Sequence, residues 1–355
     1  MFFSSWLRKQ NAKPRTSRRA SSTFRPRLEV LEGRDVPSTL KVTNLGDGGK
    51  GSLRYEIAQA QRGDTVVFDK RLDGGTIMLT SGELDISKNL TIRGPGAGLL
   101  TIASPGTSTN SLYSPGASRI FEVEGYLTNA TLSGMTISNG VGLKSAYSPN
   151  GSAGDSYDGA GGGVLNLGTL TISGCTLSDN FAQVSGSVFG TGGGGVANFG
   201  TLTVSDCTLS NNRTFGNGGA IDNGVNPIGY NRGRLTMSSC TLSGNSGLNG
   251  GGVYNDSGCT LAVSGGAVSG NTAYGNGSGA NTGLAIDYGY GGGICSFGTL
   301  TVSGCTVANN SGYAGGGIYN GGTAAALTVL NSMFSSNTPD NIFGAYIDDG
   351  GNTFS

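Results

Sequence analysis

Three stretches of this 355-residue chain repeat one set of chemistry-bearing residues at one spacing: GTLTISGCTLSDN from residue 168, GTLTVSDCTLSNN from 200 and GTLTVSGCTVANN from 298. Aligned on their cores, six copies start at Leu170, Leu202, Leu235, Leu261, Leu300 and Leu327. Five residues on stand Cys175, Cys207, Cys240, Gly266, Cys305 and Ser332, and five further on stand Asn180, Asn212, Asn245, Asn271, Asn310 and Asn337. A column of thiols suggests a soft metal or disulfides. There is no CxxC spacing and no histidine in the chain, so metal ligation finds no support. The four column cysteines fall in the inward phase of their strands, where a free thiol packs as a small apolar group. Stacked repeats would bring their Cα atoms within disulfide range, but parallel Cβ vectors would strain the bond. The expectation is therefore buried thiols without metal, with pairing of Cys259 and Cys295, outside the column, left open. Neutral asparagines are poor ligands for hard cations. Their amides can bond the amide above and below and tolerate left-handed bends, so they are expected to form a structural ladder.

Acid–base chemistry is sparse in the repeats. No Glu follows Glu124, and the only basic residues after Lys144 are Arg213, Arg232 and Arg234. Asp222, in the outward phase of its strand, and Arg213, one bend away, are the best lyase-like pair that can be assembled; the competing reading is a solvated surface pair. The glycine clusters do not read as a phosphate cradle, because strands rather than a helix follow them. The segment between each ladder asparagine and the next glycine cluster varies widely in length and gathers aromatic residues: Tyr147, Tyr157, Phe181, Phe189, Phe215, Tyr274, Tyr288, Tyr290 and Tyr313. Such a loop-rich edge is where a solenoid binds its ligands. The rings suit stacking on sugars, or they pack only their own loops.

The elements that must position these residues follow from periodicity. Thr-Leu-Thr-Ile-Ser alternates polar and apolar, the two-residue period of a strand with one buried face. Ser173-Gly174 breaks the run, and Cys175 and Leu177 resume it on the same side. Strands this short bury their apolar face only by stacking on equivalents in neighbouring repeats. The predicted fold is all-β: a single right-handed parallel β-helix over 38–355, with less regular coils through 64–140, regular coils over 161–337 and about ten coils in all. GSLRYEIAQAQRG at 51–63 predicts a capping helix, with Ser52 as its cap and Gly63 as its stop. Residues 338–355 are expected to be an irregular C-terminal cover.

The chain has no net charge, yet residues 1–35 carry nine Lys/Arg against three Asp/Glu. Residues 1–37 read as a basic disordered leader without the apolar segment of a secretory signal. No run of 18 apolar residues predicts a transmembrane helix. Nucleic acid is not expected as a partner, and the oligomeric state is open.

The GGGIYN and GTLTISxCTxSxN repeat resembles bacterial right-handed β-helix proteins of pectin-lyase-like architecture, close to those with polymorphic-outer-membrane-protein-type repeats. GSLRYEI resembles the S-L-R helix that opens such stacks, with Gly51 where the family has Cys. RPRLEVLEGRDVPST at 25–39 resembles an N-terminal stretch of large exported planctomycete proteins. The resemblance covers about 330 residues and specifies fold more than function, because one fold hosts many activities. It implies export to the cell surface or beyond. The expected function is an exported structural or binding protein that takes a glycan or protein partner along the loop-rich edge. The alternative is a polysaccharide lyase or hydrolase, and the lyase alternative brings calcium as a cofactor.

Overall fold

The computed structural model describes residues 37–106, 116–142, 159–183, 192–225, 232–275, 289–322 and 326–355, all in the compact unit Pro37–Ser355. The rest of the basic leader lies outside the described residues.

Each repeat makes one turn of a coil. A three-residue strand such as Val164–Asn166 is followed by Thr169–Ser173, Thr176–Ser178 and the two-residue Phe181–Ala182. Equivalent strands stack in register, so that Thr169–Ser173 lies on Thr201–Ser205 with Leu170 beside Leu202 and Ile172 beside Val204. Among the described residues the stacking builds three sheets, here A, B and C, of 18, nine and five strands. Every pairing between strands is parallel; among the described residues, the antiparallel contact is the isolated bridge Val225–Arg232. This is the expected all-β parallel β-helix. Its interior is one continuous apolar column in which Leu170, Leu202, Leu235, Leu261, Leu300 and Leu327 are all buried, each worth about 1.5–3 kcal/mol of burial.

Left-handed backbone makes the corners, and it falls one residue earlier than expected. The ladder asparagines do not adopt it; the residues before them do, as in Asp179, Asn211, Asn309 and Ser336. A second left-handed position precedes the cysteine column, occupied by Gly174, Asp206, Ser239 and Gly304. Asp and Asn accept this conformation because their short polar side chains can bond locally. The glycine clusters serve a third corner. Gly218 has φ +71°, and a Cβ on Gly219 would run into the backbone of Ser246 and Gly251 in the next coil. Only glycine allows the coils to approach so closely there.

Helix α1, Leu53–Gln59, lies at the N-terminal end. Ser52 caps it, its Oγ accepting from Tyr55 N at 3.2 Å, and Leu53 and Ile57 are buried. The helix stops at Ala60, short of the predicted Gly63. The other end differs from expectation. Residues 338–355 form one more coil instead of an irregular cover: Ile342–Phe343 pairs with Ile318–Asn320, Ile347–Asp348 with Leu327–Leu330, and Thr353–Phe354 with Met333–Ser335. Alternation is hard to read in strands of two residues, so the coil escapes a pattern search.

Candidate functional site

The three-residue strands of sheet B turn their first residue into the core, as in Val164, Val196 and Ile221, and their middle residue outward. In register, the outward column runs Asp85, Glu122, Leu165, Ala197, Asp222, Tyr254, Cys295, Tyr319, Phe343. It is acidic at the N-terminal end, apolar and covered in the middle, and aromatic at the C-terminal end.

At the acidic end Arg119 is 8% exposed. Its Nη1 donates to Glu83 Oε2 at 2.7 Å and to Glu122 Oε2 at 2.5 Å, and its Nε donates to the carbonyls of Ala160 and Gly161. Burial pushes the Glu122 carboxyl up to about 7 against the pull of Arg119, with Glu83, Asp85 and Glu124 adding to the rise. Burial also raises Glu83. Sequence reasoning missed this cluster because its members lie in the irregular early coils. The alternation in RIFEVE puts Glu122 and Glu124 outward, and that was the legible signal.

In the middle, Leu165 and Ala197 are covered by Ala160 and Phe199. Asp222 shares this region and is 1% exposed, so the outward phase does not make it a surface residue. Its Oδ2 accepts from Gly192 N at 2.8 Å, while Oδ1 has no partner among the described residues. Burial raises its carboxyl well above the ordinary range. No ion pair joins it to Arg213. The lyase-like pair is therefore not assembled, and neither is the solvated pair. Arg213 sits 5.3 Å over the Phe215 ring, which meets Phe181 edge-on at 5.1 Å, on sheet C. Tyr274 joins that side by donating its hydroxyl to Thr214 O at 2.6 Å.

The aromatic end is the most developed part. Tyr290 stacks on Tyr319 at 4.4 Å and 22°, and Tyr319 stacks on Phe343 at 5.3 Å and 3°. Tyr313, 62% exposed, meets Tyr290 edge-on at 6.4 Å. On the other side Phe297 meets Tyr319 at 5.9 Å and Tyr254 at 6.0 Å. The rings form a band across sheet B from Tyr313 and Tyr290 to Phe297 and Tyr254. Beside Tyr254 and Phe297 a groove of about 600 Å³ opens, with Asp256, Ser257, Thr299 and Gly321 in its walls. Of the predicted aromatic edge, Tyr290 and Tyr313 belong to this band and Phe181, Phe215 and Tyr274 to the sheet C cluster, while Tyr147, Tyr157, Phe189 and Tyr288 lie outside the described residues. Tyr254, Phe297, Tyr319 and Phe343 were missed, because they sit on strands and a tight turn and not in the variable segments.

The columns of cysteine and asparagine face the interior. All six cysteines are buried, and none is joined in a disulfide. Cys175 N donates to Cys207 Sγ at 3.4 Å, and Ser332 takes the equivalent place for Cys305 N at 3.2 Å. The hydrogen bond with Cys175, together with burial, raises Cys207 to about 12, and burial raises Cys305 to about 11. Asn180, Asn212, Asn245, Asn271, Asn310 and Asn337 form a chain in which each Nδ2 donates to the next Oδ1 at 2.9–3.0 Å. A second chain links Asn166, Asn198, Asn223 and Asn255 and ends on Ser296. Among the described residues no three acidic, cysteine or histidine side chains are arranged to hold a metal ion. No helix among them is long and apolar enough to cross a membrane.

No family model matches this sequence, and no curated protein matches it. Among solved structures it is similar to the crystal structure of pectate lyase Pel9A, with 13% identity and a TM-score of 0.51 over 91% of this chain and 75% of that one. At that identity the likeness is one of fold: this chain is a parallel β-helix of the pectate-lyase-like kind.

Proposed function

We propose that this protein is a non-catalytic binding protein that holds a glycan on the aromatic band of sheet B, and that it works outside the cell or at its surface, as the resemblance to exported polymorphic-outer-membrane-protein-type repeat proteins implies. The band itself carries the reading. Tyr290, Tyr319 and Phe343 present stacked rings on a rigid sheet, with Tyr313 and Phe343 exposed. The negative face of an aromatic ring attracts the weakly positive C–H face of a sugar. Sites built on strands hold such geometry better than sites on loops.

The second reading, a polysaccharide lyase or hydrolase, draws on the Glu83, Arg119 and Glu122 cluster, where a carboxyl held near 7 is suited to act as a general acid. The Asp222 and Arg213 pair lends it nothing, and calcium belongs to its lyase form. One set of assays separates the readings. Soluble glycans are run through affinity gels, and polyuronides and neutral glycans are incubated with and without calcium while unsaturated products and new reducing ends are followed. The binding reading expects retardation that weakens at least about tenfold in Tyr290→Ala and Tyr319→Ala, with no turnover. Turnover lost in Glu122→Gln would replace it with the hydrolytic one.

A further inference from the structure

The groove at the end of the aromatic band lies where the sheet B strands Val253–Asn255, Ile294–Ser296 and Ile318–Asn320 leave the sheet. Its walls carry two rings, Tyr254 and Phe297, the hydroxyls of Ser257 and Thr299, and one charged group, Asp256. Asp256 Oδ1 accepts from Ser257 N at 2.7 Å, and its Oδ2 has no hydrogen-bond partner among the described residues. The volume, about 600 Å³, falls in the range of small-ligand sites. Gly321 keeps it open, because a Cβ there would fall against the Phe297 ring. Among the described residues no Lys or Arg lines it; the neighbouring cation, Arg232, packs against Gly258 of the wall.

We propose that this groove is a selecting subsite that takes an uncharged polysaccharide and refuses a polyuronide. The proposal rests on the glycan-binding reading and adds the ligand class. A carboxylate accepts hydrogen bonds from two neighbouring sugar hydroxyls and needs no counter-charge on the ligand. A sugar carboxylate in the same groove would be set against Asp256 with no cation among the described lining residues to compensate it, and specificity of this kind comes from the repulsive contact as much as from the attractive one. The rings of Tyr254 and Phe297 serve neutral and acidic sugars alike, so discrimination belongs to Asp256.

The test uses polygalacturonate and its fully methyl-esterified form, two polymers with one backbone that differ in charge, titrated by calorimetry into the whole protein at low ionic strength. The ester is expected to bind at least about tenfold tighter than the acid. Asp256→Asn is expected to bring the two within about threefold, Phe297→Ala to weaken both, and Arg232→Ala to leave the preference in place. Equal binding of ester and acid by the unaltered protein, or an unchanged ratio in Asp256→Asn, overturns the proposal while the glycan-binding reading stands. Binding of neither polymer overturns the proposal; if neutral glucan and xylan also fail to bind, or bind with no loss in Tyr290→Ala, the glycan-binding reading falls with it.

Discussion

Asp222 is a carboxyl that the fold has to hold without solvent. It sits under the cover of sheet B with one oxygen on Gly192 N and the other without a partner among the described residues. A buried carboxylate in that state is costly, and the group answers by keeping its proton. The linkage has a definite sign. A carboxyl whose folded pKa lies above its unfolded value binds more protons when folded. Its penalty is absent at low pH and grows as pH rises past the unfolded value, near 4. Asp222→Asn removes the titration and preserves an acceptor for Gly192 N. The variant is expected to match or exceed the unaltered protein in stability at pH 8, with a flatter dependence between pH 4 and 8. Urea denaturation at several pH values checks this, and a variant that loses stability at pH 8 but not at pH 4 would contradict it.

At the scale of the element, the corners hold the stack together. Each ladder asparagine in the interior satisfies several groups at once. Asn212 accepts from the N–H and Nδ2 of Asn180, donates to Leu177 O at 2.9 Å and to Asn245 Oδ1 at 3.0 Å, and is fully buried. Truncation strands buried partners on both neighbouring coils, and each unsatisfied buried group costs about 1–3 kcal/mol. Asn212→Ala is thus expected to cost on the order of 3 kcal/mol or more in chemical denaturation. Asn337→Ala, near the end of the ladder and 8% exposed, should cost less. Equal losses at the two positions would mean that the ladder does not act as a chain. The cysteine column is more permissive, because Ser332 already fills one of its places and donates to Leu330 O at 2.8 Å.

At the scale of the whole molecule, Arg119 joins the early coils to the regular stack. It holds Glu83 and Glu122 on one side and the carbonyls of Ala160 and Gly161 on the other. Glu122, raised by burial to about 7, keeps its proton on folding between about pH 4.5 and 7. Stability from this group is therefore present in full at the acidic end of that window and falls as pH rises through it, by on the order of 2 kcal/mol. Melting temperature measured from pH 5 to 8 should drop across the window, and Glu122→Gln should flatten the drop. The carboxylates with lowered pKa, Asp47, Asp64 and Asp69, act in the opposite sense but only toward more acidic pH. A drop unchanged in Glu122→Gln would assign the pH dependence elsewhere.

The class of fold, the register of the regular coils and the identity of the inward columns are legible in the amino-acid sequence. Those properties are local and repeated: Leu170, Ile172, Cys175, Leu177 and Asn180 declare their phase within one coil, and six copies repeat it. They do not determine which residues meet on the outer face of sheet B. Asp85 and Glu122 are adjacent strand partners although 37 positions apart in the chain, and Tyr290 and Tyr319 stack across the coils. Coil lengths vary, so such meetings depend on how each intervening loop returns the chain to register. Asp222 makes the same point about burial. Its strand phase is legible as outward, but it packs against Gly192 of the preceding coil and is 1% exposed, so its burial depends on contacts between coils that strand phase does not encode.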